Sequence, residues 1–130
     1  MRRMTGFDAQ FVFDERPNDP QHTLKLAFLD APASAGFDLR AARRQVAARL
    51  NRLDPLRWRV ARVPLDLHHP VWLEGGAPDL DWHVRRAAIP APGGRDELCE
   101  VVSQIASTPL DPRRPLWELW LLEGFEGEKA

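Results

Sequence analysis

Five short segments carry the pattern of apolar and polar residues expected of β-strands. The segment 21–29 alternates with a period of two, and two shorter apolar segments, 58–60 and 71–73, are separated by a proline-containing loop. The segment 82–89 is a weaker extended candidate, and 116–122 is apolar on both faces apart from one glutamate. The pattern predicts a strand at each of these places, with 58–60 and 71–73 forming a hairpin.

Two other segments show the three- and four-residue spacing of amphipathic helices. Asp38 is a suitable cap for a helix whose apolar positions continue to Leu53, and Pro55 forbids its continuation. A second helix has the acidic residues 96–97 in its first turn, which is favourable for the helix macrodipole, and Pro109 closes it. The order of elements predicts an α/β fold of the two-layer α+β type, with helices packed on a sheet.

The segment 116–122 is expected to need a neighbouring strand on each side. A strand that is apolar on both faces belongs inside a covered sheet with a neighbour on each side, and only residues 123–130 follow it. We therefore expect that its next neighbouring strand is missing, and that the chain on its own is poorly soluble or oligomeric.

Composition narrows the class of protein. The chain has 130 residues, of which 44% are hydrophobic and 28% charged, and its formal net charge is -1. These values are typical of a folded globular domain, and they favour neither nucleic acid nor an anionic membrane as a partner. A single cysteine, Cys99, excludes an internal disulfide and fits a reducing compartment, so we expect a cytoplasmic protein. No apolar run is long enough for a spanning helix.

Several short motifs occur in an order that resembles one known family. Residues 4–11 read Met-Thr-Gly-Phe-Asp-Ala-Gln-Phe, and residues 109–118 contain Pro-Leu-Asp followed by Arg-Pro-Leu-Trp-Glu. Both resemble motifs of the bacterial wax ester synthase/diacylglycerol acyltransferase family, as do shorter matches at 70–72 and 90–94. By this resemblance, residues 1–130 are the amino-terminal portion of an acyltransferase domain, truncated before the catalytic motif.

The resemblance carries expectations about fold and chemistry. It implies half of the fold shared by coenzyme A-dependent acyltransferases and peptide-synthetase condensation domains, present here incompletely. In the family, a histidine of a His-His-x-x-x-Asp-Gly motif takes the proton from a diacylglycerol or long-chain alcohol hydroxyl that attacks acyl-coenzyme A. This motif is absent from the sequence. The resemblance therefore implies acyl-coenzyme A as co-substrate, no bound cofactor, and peripheral contact with a membrane or lipid inclusion.

The candidate site residues come from the same resemblance. Pro115, Leu116 and Trp117 form the family's most specific motif here, and we expect them to be structural or to line an acyl tunnel. No residue of the chain is assigned a catalytic role. The paired His68 and His69 have the wrong spacing for the family motif and read better as loop residues.

Other reactive residue types receive ordinary structural interpretations. A zinc site made from the loop histidines, His83 and Cys99 has no recognisable ligand spacing, so no metal site is predicted. Cys99 borders an apolar helix stripe and is interpreted as a partly buried packing residue. The arginines of the first predicted helix are interpreted as its solvated face; they are Arg40, Arg43, Arg44, Arg49 and Arg52.

A second hypothesis belongs to a different class of function. The chain could be a non-catalytic binding or oligomerisation module that pairs its open strand edge with a partner or with itself, or it could be a decayed gene product. The coding sequence that follows Ala130 distinguishes the hypotheses, because an acyltransferase would continue through a strand into the histidine motif.

Overall fold

The computed structural model describes residues 1–29 and 37–126, which form two small sheets with helices packed beside them. The strands are β1 (Arg2–Arg3), β2 (Trp58–Ala61), β3 (Val71–Glu74), β4 (Val84–Ala88) and β5 (Leu119–Glu123). The helices are α1 (Gly6–Asp14), α2 (Leu39–Ala47), α3 (Leu80–His83) and α4 (Arg95–Ala106). This mixed architecture confirms the predicted α/β class.

The first sheet has the order β1-β3-β2, and all its pairs are antiparallel. Val60 lies opposite Trp72, and the rings of Trp58 and Trp72 are 6.2 Å apart. Cross-strand pairs of large side chains stabilise such a ladder. The hairpin predicted from 58–60 and 71–73 is therefore confirmed.

The second sheet pairs β4 with β5 in parallel, with Arg86 opposite Leu121. Parallel neighbours need a crossover connection, and α4 supplies it. The helix begins where predicted, and the carboxylate of Glu97 accepts a hydrogen bond from the backbone N–H of Gly94 at 2.8 Å. The connector 90–94 is a turn, as its proline and glycine content predicts.

Helix α2 begins at the predicted cap but is shorter than predicted. The Asp38 carboxylate accepts a hydrogen bond from the backbone N–H of Ala41 at 2.7 Å, and the helix ends at Ala47. Two single turns of 3₁₀ helix, Leu50–Arg52 and Asp54–Arg57, follow it. Pro55 lies within the second turn, where the missing N–H is tolerated because the turn begins there.

Replacing Asp38 by alanine removes this cap. We expect the free energy of unfolding to fall by about 1 kcal/mol, because an amide of the first turn loses its acceptor. Asp38→Asn keeps an acceptor oxygen and should lose less. Urea denaturation of the two variants and the parent chain measures the difference, and equal stability of Asp38→Ala and the parent would contradict the assigned cap.

The arginines of α2 do not all behave as predicted. Arg43 donates to the backbone carbonyl of Val84 in β4 at 3.0 Å and forms an ion pair of 2.7 Å with Asp81. It therefore binds the helix to the second sheet, and its assignment to a solvated face is wrong. The remaining members of the group are exposed as predicted; they are Arg40, Arg44, Arg49 and Arg52.

The strand predicted at 21–29 is wrong. These residues belong to no ladder in the structure, and the side chains of Phe28 and Leu29 are each 65% exposed. Alternation makes a segment compatible with a strand, but a ladder also needs a free edge to pair with. In the described part of the chain this segment pairs with none of the sheet edges.

Three further corrections concern element boundaries and burial. Helix α1 was not predicted, and Trp82 lies in α3 instead of an extended segment, although the strand expected there forms as β4. Strand β5 begins at Leu119, three residues after the predicted start, and its side chains are half-buried or exposed instead of fully buried. Within the described residues its only strand neighbour is β4.

The cysteine assignment also needs correction. Cys99 is exposed on α4 and is not a partly buried packing residue, because the stripe that faces the protein is centred on Leu98. Among the described residues, no helix has both the length and the apolar character that crossing a membrane requires.

Candidate functional site

The Pro-Leu-Trp segment, residues 115–117, lies at the junction of the two sheets. Pro115 is buried and forms an isolated antiparallel bridge with Arg59 of β2, while the chain continues directly into β5. The segment therefore joins the hairpin sheet to the parallel sheet. Leu116 and Trp117 are half-buried.

Trp117 contacts both sides of this junction. Its indole Nε1 donates to the backbone carbonyl of Leu56, just before β2, at 2.8 Å. Its own carbonyl lies 2.8 Å from Nδ1 of His83, and the two rings stack with centroids 4.4 Å apart and planes 19° from parallel. Because the carbonyl can only accept, Nδ1 of His83 carries the proton of that bond. Trp117 thus connects the turn before β2 with α3.

Arg85 of β4 is held between two tryptophans. Its guanidinium lies 4.7 Å from the Trp82 ring centroid and 4.5 Å from that of Trp120. Glu118 forms an ion pair of 2.5 Å with Arg85 and accepts from Nε1 of Trp120 at 3.0 Å. Cation–π and ionic contacts of this kind orient the strands around the junction. Glu118, the one charged residue of its apolar run, therefore has a structural partner for each carboxylate oxygen.

Trp117 stacks on His83, whereas Trp120 contacts the guanidinium of Arg85. They do not form a shared aromatic platform.

The histidines and the cysteine considered as zinc ligands are distributed over the structure. His68 and His69 lie in an exposed loop, His83 is buried under Trp117, and Cys99 is exposed on α4. Within residues 1–29 and 37–126, no three potential ligands of this kind are grouped.

Asp111 organises the turn that leads into the Pro-Leu-Trp segment. Its carboxylate accepts from the backbone N–H of Arg113 at 3.0 Å and from the guanidinium Nε at 2.9 Å. The side-chain hydrogen bond from Arg113, followed by the backbone one, holds the pKa of the Asp111 carboxyl below its usual value, and the same contact raises the pKa of Arg113. Arg114 adds a longer ionic contact of 3.7 Å. The turn therefore depends on an ionised carboxylate.

This contact predicts a pH dependence of stability. A lowered pKa in the folded state stabilises the fold above the unfolded value of about 3.9, and this contribution is lost as the pH falls through the folded value. Asp111→Asn should unfold at a lower urea concentration than the parent at pH 7, and the difference should shrink below pH 4. Asp14→Asn, at an exposed position, is the control. If Asp111→Asn and the parent differed in unfolding urea concentration as much below pH 4 as at pH 7, the role of Asp111 would be contradicted.

The chain belongs to the wax ester synthase/diacylglycerol acyltransferase catalytic domain family, whose model matches residues 4–130. Among solved structures, it is similar to the wax ester synthase/diacylglycerol acyltransferase from Marinobacter aquaeolei VT8. The TM-score is 0.72 at 29% identity, over 97% of this chain and 30% of that one.

Proteins of Mycobacterium tuberculosis described as diacylglycerol O-acyltransferases are also similar. One of strain H37Rv is 42% identical over 130 residues, which cover 99% of this chain and 28% of the relative. Another is 43% identical over 131 residues, also covering 28% of the relative. The chain thus spans less than a third of these relatives' length. The family predicted from the short motifs is confirmed.

The resemblance identified the Pro-Leu-Trp segment but not its contacts. His83 and Arg85 were not predicted as partners of the motif. His83 bonds to and stacks on Trp117, 34 positions away, and Arg85 pairs with Glu118, 33 positions away. A single sequence offers no local signal for such contacts. The opening motif, residues 4–11, proves to be the start of α1, where Thr5 caps the helix through Asp8.

Proposed function

We propose that this chain forms the amino-terminal part of an O-acyltransferase that transfers an acyl group from acyl-coenzyme A to diacylglycerol or a long-chain alcohol. The observation that carries the proposal is the Pro-Leu-Trp junction, in which Trp117 joins the turn before β2 to α3 in a chain belonging to this family. Under this proposal the described residues form a wall beside the substrates and position the strand that continues toward the catalytic motif.

The reaction needs a base that this chain does not supply. The hydroxyl oxygen of the acceptor attacks the thioester carbonyl, its proton is taken by a general base, and coenzyme A leaves as the thiol. The proposal assigns the base to a histidine of the His-His-x-x-x-Asp-Gly motif, which is absent from the 130 residues. His68 and His69 are exposed, and Pro70 follows them directly, so they do not take that role.

The exposed apolar residues support a place within a larger domain. Phe7 is 71% exposed, and Leu119 at the start of β5 is 40% exposed. Phe28 is 65% exposed, and its ring centroid lies 5.2 Å from that of Phe125. Covering exposed apolar side chains lowers the free energy, because it removes apolar surface from water. Under the proposal, the remainder of an acyltransferase covers these residues, and a further strand pairs with the free edge of β5.

A chimera tests the proposal. The corresponding amino-terminal part of the Marinobacter aquaeolei protein is replaced by residues 1–126 of this chain, and the product is assayed with labelled acyl-coenzyme A and a long-chain alcohol or diacylglycerol. We expect acceptor-dependent ester formation, with reactions lacking acceptor as the control. A folded chimera that forms no ester, beside an active parent protein, would contradict the proposed function.

A further inference from the structure

The apolar pattern of β5 leaves the register of this strand open. Its sequence is Leu-Trp-Leu-Leu-Glu, so leucines lie on both faces of the strand. Burial specifies a register strongly where one face of a strand is apolar and the other is polar, because a shift of one residue exchanges the two faces. A shifted β5 would still present leucines on both faces. Other contacts must therefore determine how β5 pairs with β4.

Arg85 of β4 distinguishes one position of β5 from the others. It lies opposite Trp120 in the parallel ladder, and its guanidinium is 4.5 Å from the Trp120 ring centroid. Nη2 of Arg85 lies 2.5 Å from Oε1 of Glu118, the residue directly before β5. The other oxygen of Glu118, Oε2, accepts from Nε1 of Trp120 at 3.0 Å. A shift by one residue would place Leu119 or Leu121 opposite Arg85 and break this set of contacts.

The Arg85 side chain is also held from the opposite end of the ladder's connection. Its guanidinium lies 4.7 Å from the ring centroid of Trp82 in α3, and the guanidinium of Arg114 lies 4.4 Å from the same centroid. Arg114 in turn pairs with Asp79 and Asp111, each at 3.7 Å. Groups from before β4 and from before β5 thus orient the side chain that contacts Trp120.

The ion pair between Arg85 and Glu118 is partly buried, with side-chain exposures of 30% and 18%. Water screens such a pair less than a surface pair, but removing two charges from water offsets much of their attraction. Apolar residues of similar volume often give equal or greater stability. Fixing a register, in contrast, is a role that buried polar groups perform in other folds. The pair is therefore better explained by register than by stability.

We propose that Arg85 and Glu118 are positioning residues for acyl transfer, because their pair sets the register of β5 on β4. The inference rests on the proposed function, in which β5 leads toward the catalytic motif and a further strand pairs with its free edge. A slip of one residue displaces a strand by about 3.3 Å along its axis and turns its side chains to the other face. Reacting groups that follow β5 would be displaced with it.

Cysteine crosslinking measures the register without any reference to ester synthesis. In a Cys99→Ser form of the whole chain, Ala87→Cys/Leu122→Cys places thiols on residues that lie opposite each other in the ladder. Leu121 belongs to the other face of β5, so a disulfide in Ala87→Cys/Leu121→Cys reports a shifted register. We expect oxidation to join the first pair about tenfold faster than the second, because a disulfide needs closely placed and suitably oriented Cβ atoms.

The double variant Arg85→Leu/Glu118→Leu removes the pair without leaving either charge unpaired. We expect the tenfold preference to fall to about twofold or less, while the urea midpoint of unfolding stays at or above that of the parent chain. Arg86→Leu, at an exposed position of the same strand, is the matched control and should keep the preference. A preference that the double variant retains, or that Arg86→Leu also loses, overturns the proposal.

The chimera with the Marinobacter aquaeolei protein measures the consequence for acyl transfer. Arg85→Leu/Glu118→Leu should lower kcat by about a hundredfold in a folded chimera, because misplacing reacting groups by about 1 Å can cost that much. Glu118→Gln keeps an acceptor for Nε1 of Trp120 and should lose about tenfold or less. Arg86→Leu should leave kcat unchanged.

The pattern of failure separates this inference from the proposed function. A purely structural role would make kcat follow the urea midpoint from variant to variant, and that result overturns the positioning role. An active chimera whose kcat is unaffected by the double variant overturns it as well. An unmodified chimera that forms no ester contradicts the proposed function and with it the role in acyl transfer, whereas the crosslinks decide the register separately.

Discussion

Replacing Trp117 by alanine is expected to lower the free energy of unfolding by about 3 kcal/mol, as measured by urea denaturation. The variant loses the stack on His83 and the hydrogen bond to the Leu56 carbonyl. It also leaves a half-buried gap at the junction of the two sheets. The effect is large because one side chain contacts both the turn before β2 and helix α3.

Two further variants separate the contributions of Trp117. Trp117→Phe keeps an aromatic ring over His83 but loses Nε1, so it should cost about 1 kcal/mol, the value of one hydrogen bond. Leu67→Ala removes a side chain that is 79% exposed and should be neutral. If Trp117→Ala were as stable as Leu67→Ala, the described junction would be contradicted.

Replacing Gly93 by alanine is expected to be comparably damaging, with a loss of about 3 kcal/mol from backbone strain and steric overlap together. Gly93 has φ of +79°, where a Cβ is unfavourable, and that Cβ would collide with the backbone carbonyl of Gly124. The Gly93 carbonyl also accepts from the backbone N–H of Glu126 at 2.7 Å. This contact joins the turn before α4 to the end of β5.

Gly76→Ala is the matched control for this variant. A Cβ at Gly76 would meet no atom within 4 Å, so the same change of residue type should leave stability nearly unchanged. Thermal unfolding of the two variants beside the parent chain gives the comparison. Similar melting temperatures for Gly93→Ala and Gly76→Ala would contradict the close approach of the two glycines.

Elements with complete local signals were predictable from the sequence. Helix α4 has acidic residues in its first turn and a closing proline, and it spans Arg95–Ala106 with Asp96 and Glu97 in its first turn, as predicted. The hairpin of β2 and β3 follows from two apolar segments separated by a proline-containing loop, and Gly75-Gly76 comes directly after β3. In each case the residues that form the element also determine where it ends.

Elements that depend on distant partners were not predictable. The alternation at 21–29 is typical of a strand, but no neighbour for it lies among the described residues. Helix α1 was missed because its large apolar residues, Phe7, Phe11 and Phe13, are exposed and form no buried stripe. The pair Thr5 and Asp8, at capping spacing, was the available signal.

The residues of the Pro-Leu-Trp junction were also predictable only in part. Short motifs were enough to identify the family and to single out Pro115, Leu116 and Trp117, because those residues lie next to one another in the sequence. Their physical role was not accessible, because it depends on His83, Leu56 and Arg59.

The measurement that tests the account most directly is acyl transfer by the purified 130-residue chain, supplied with labelled acyl-coenzyme A and either a long-chain alcohol or diacylglycerol. We predict ester formation no greater than in the protein-free reaction, because the described residues hold a tryptophan junction but no proton acceptor of the required motif. Ester formation that rises with the amount of this chain would contradict the assignment of the base to residues outside it.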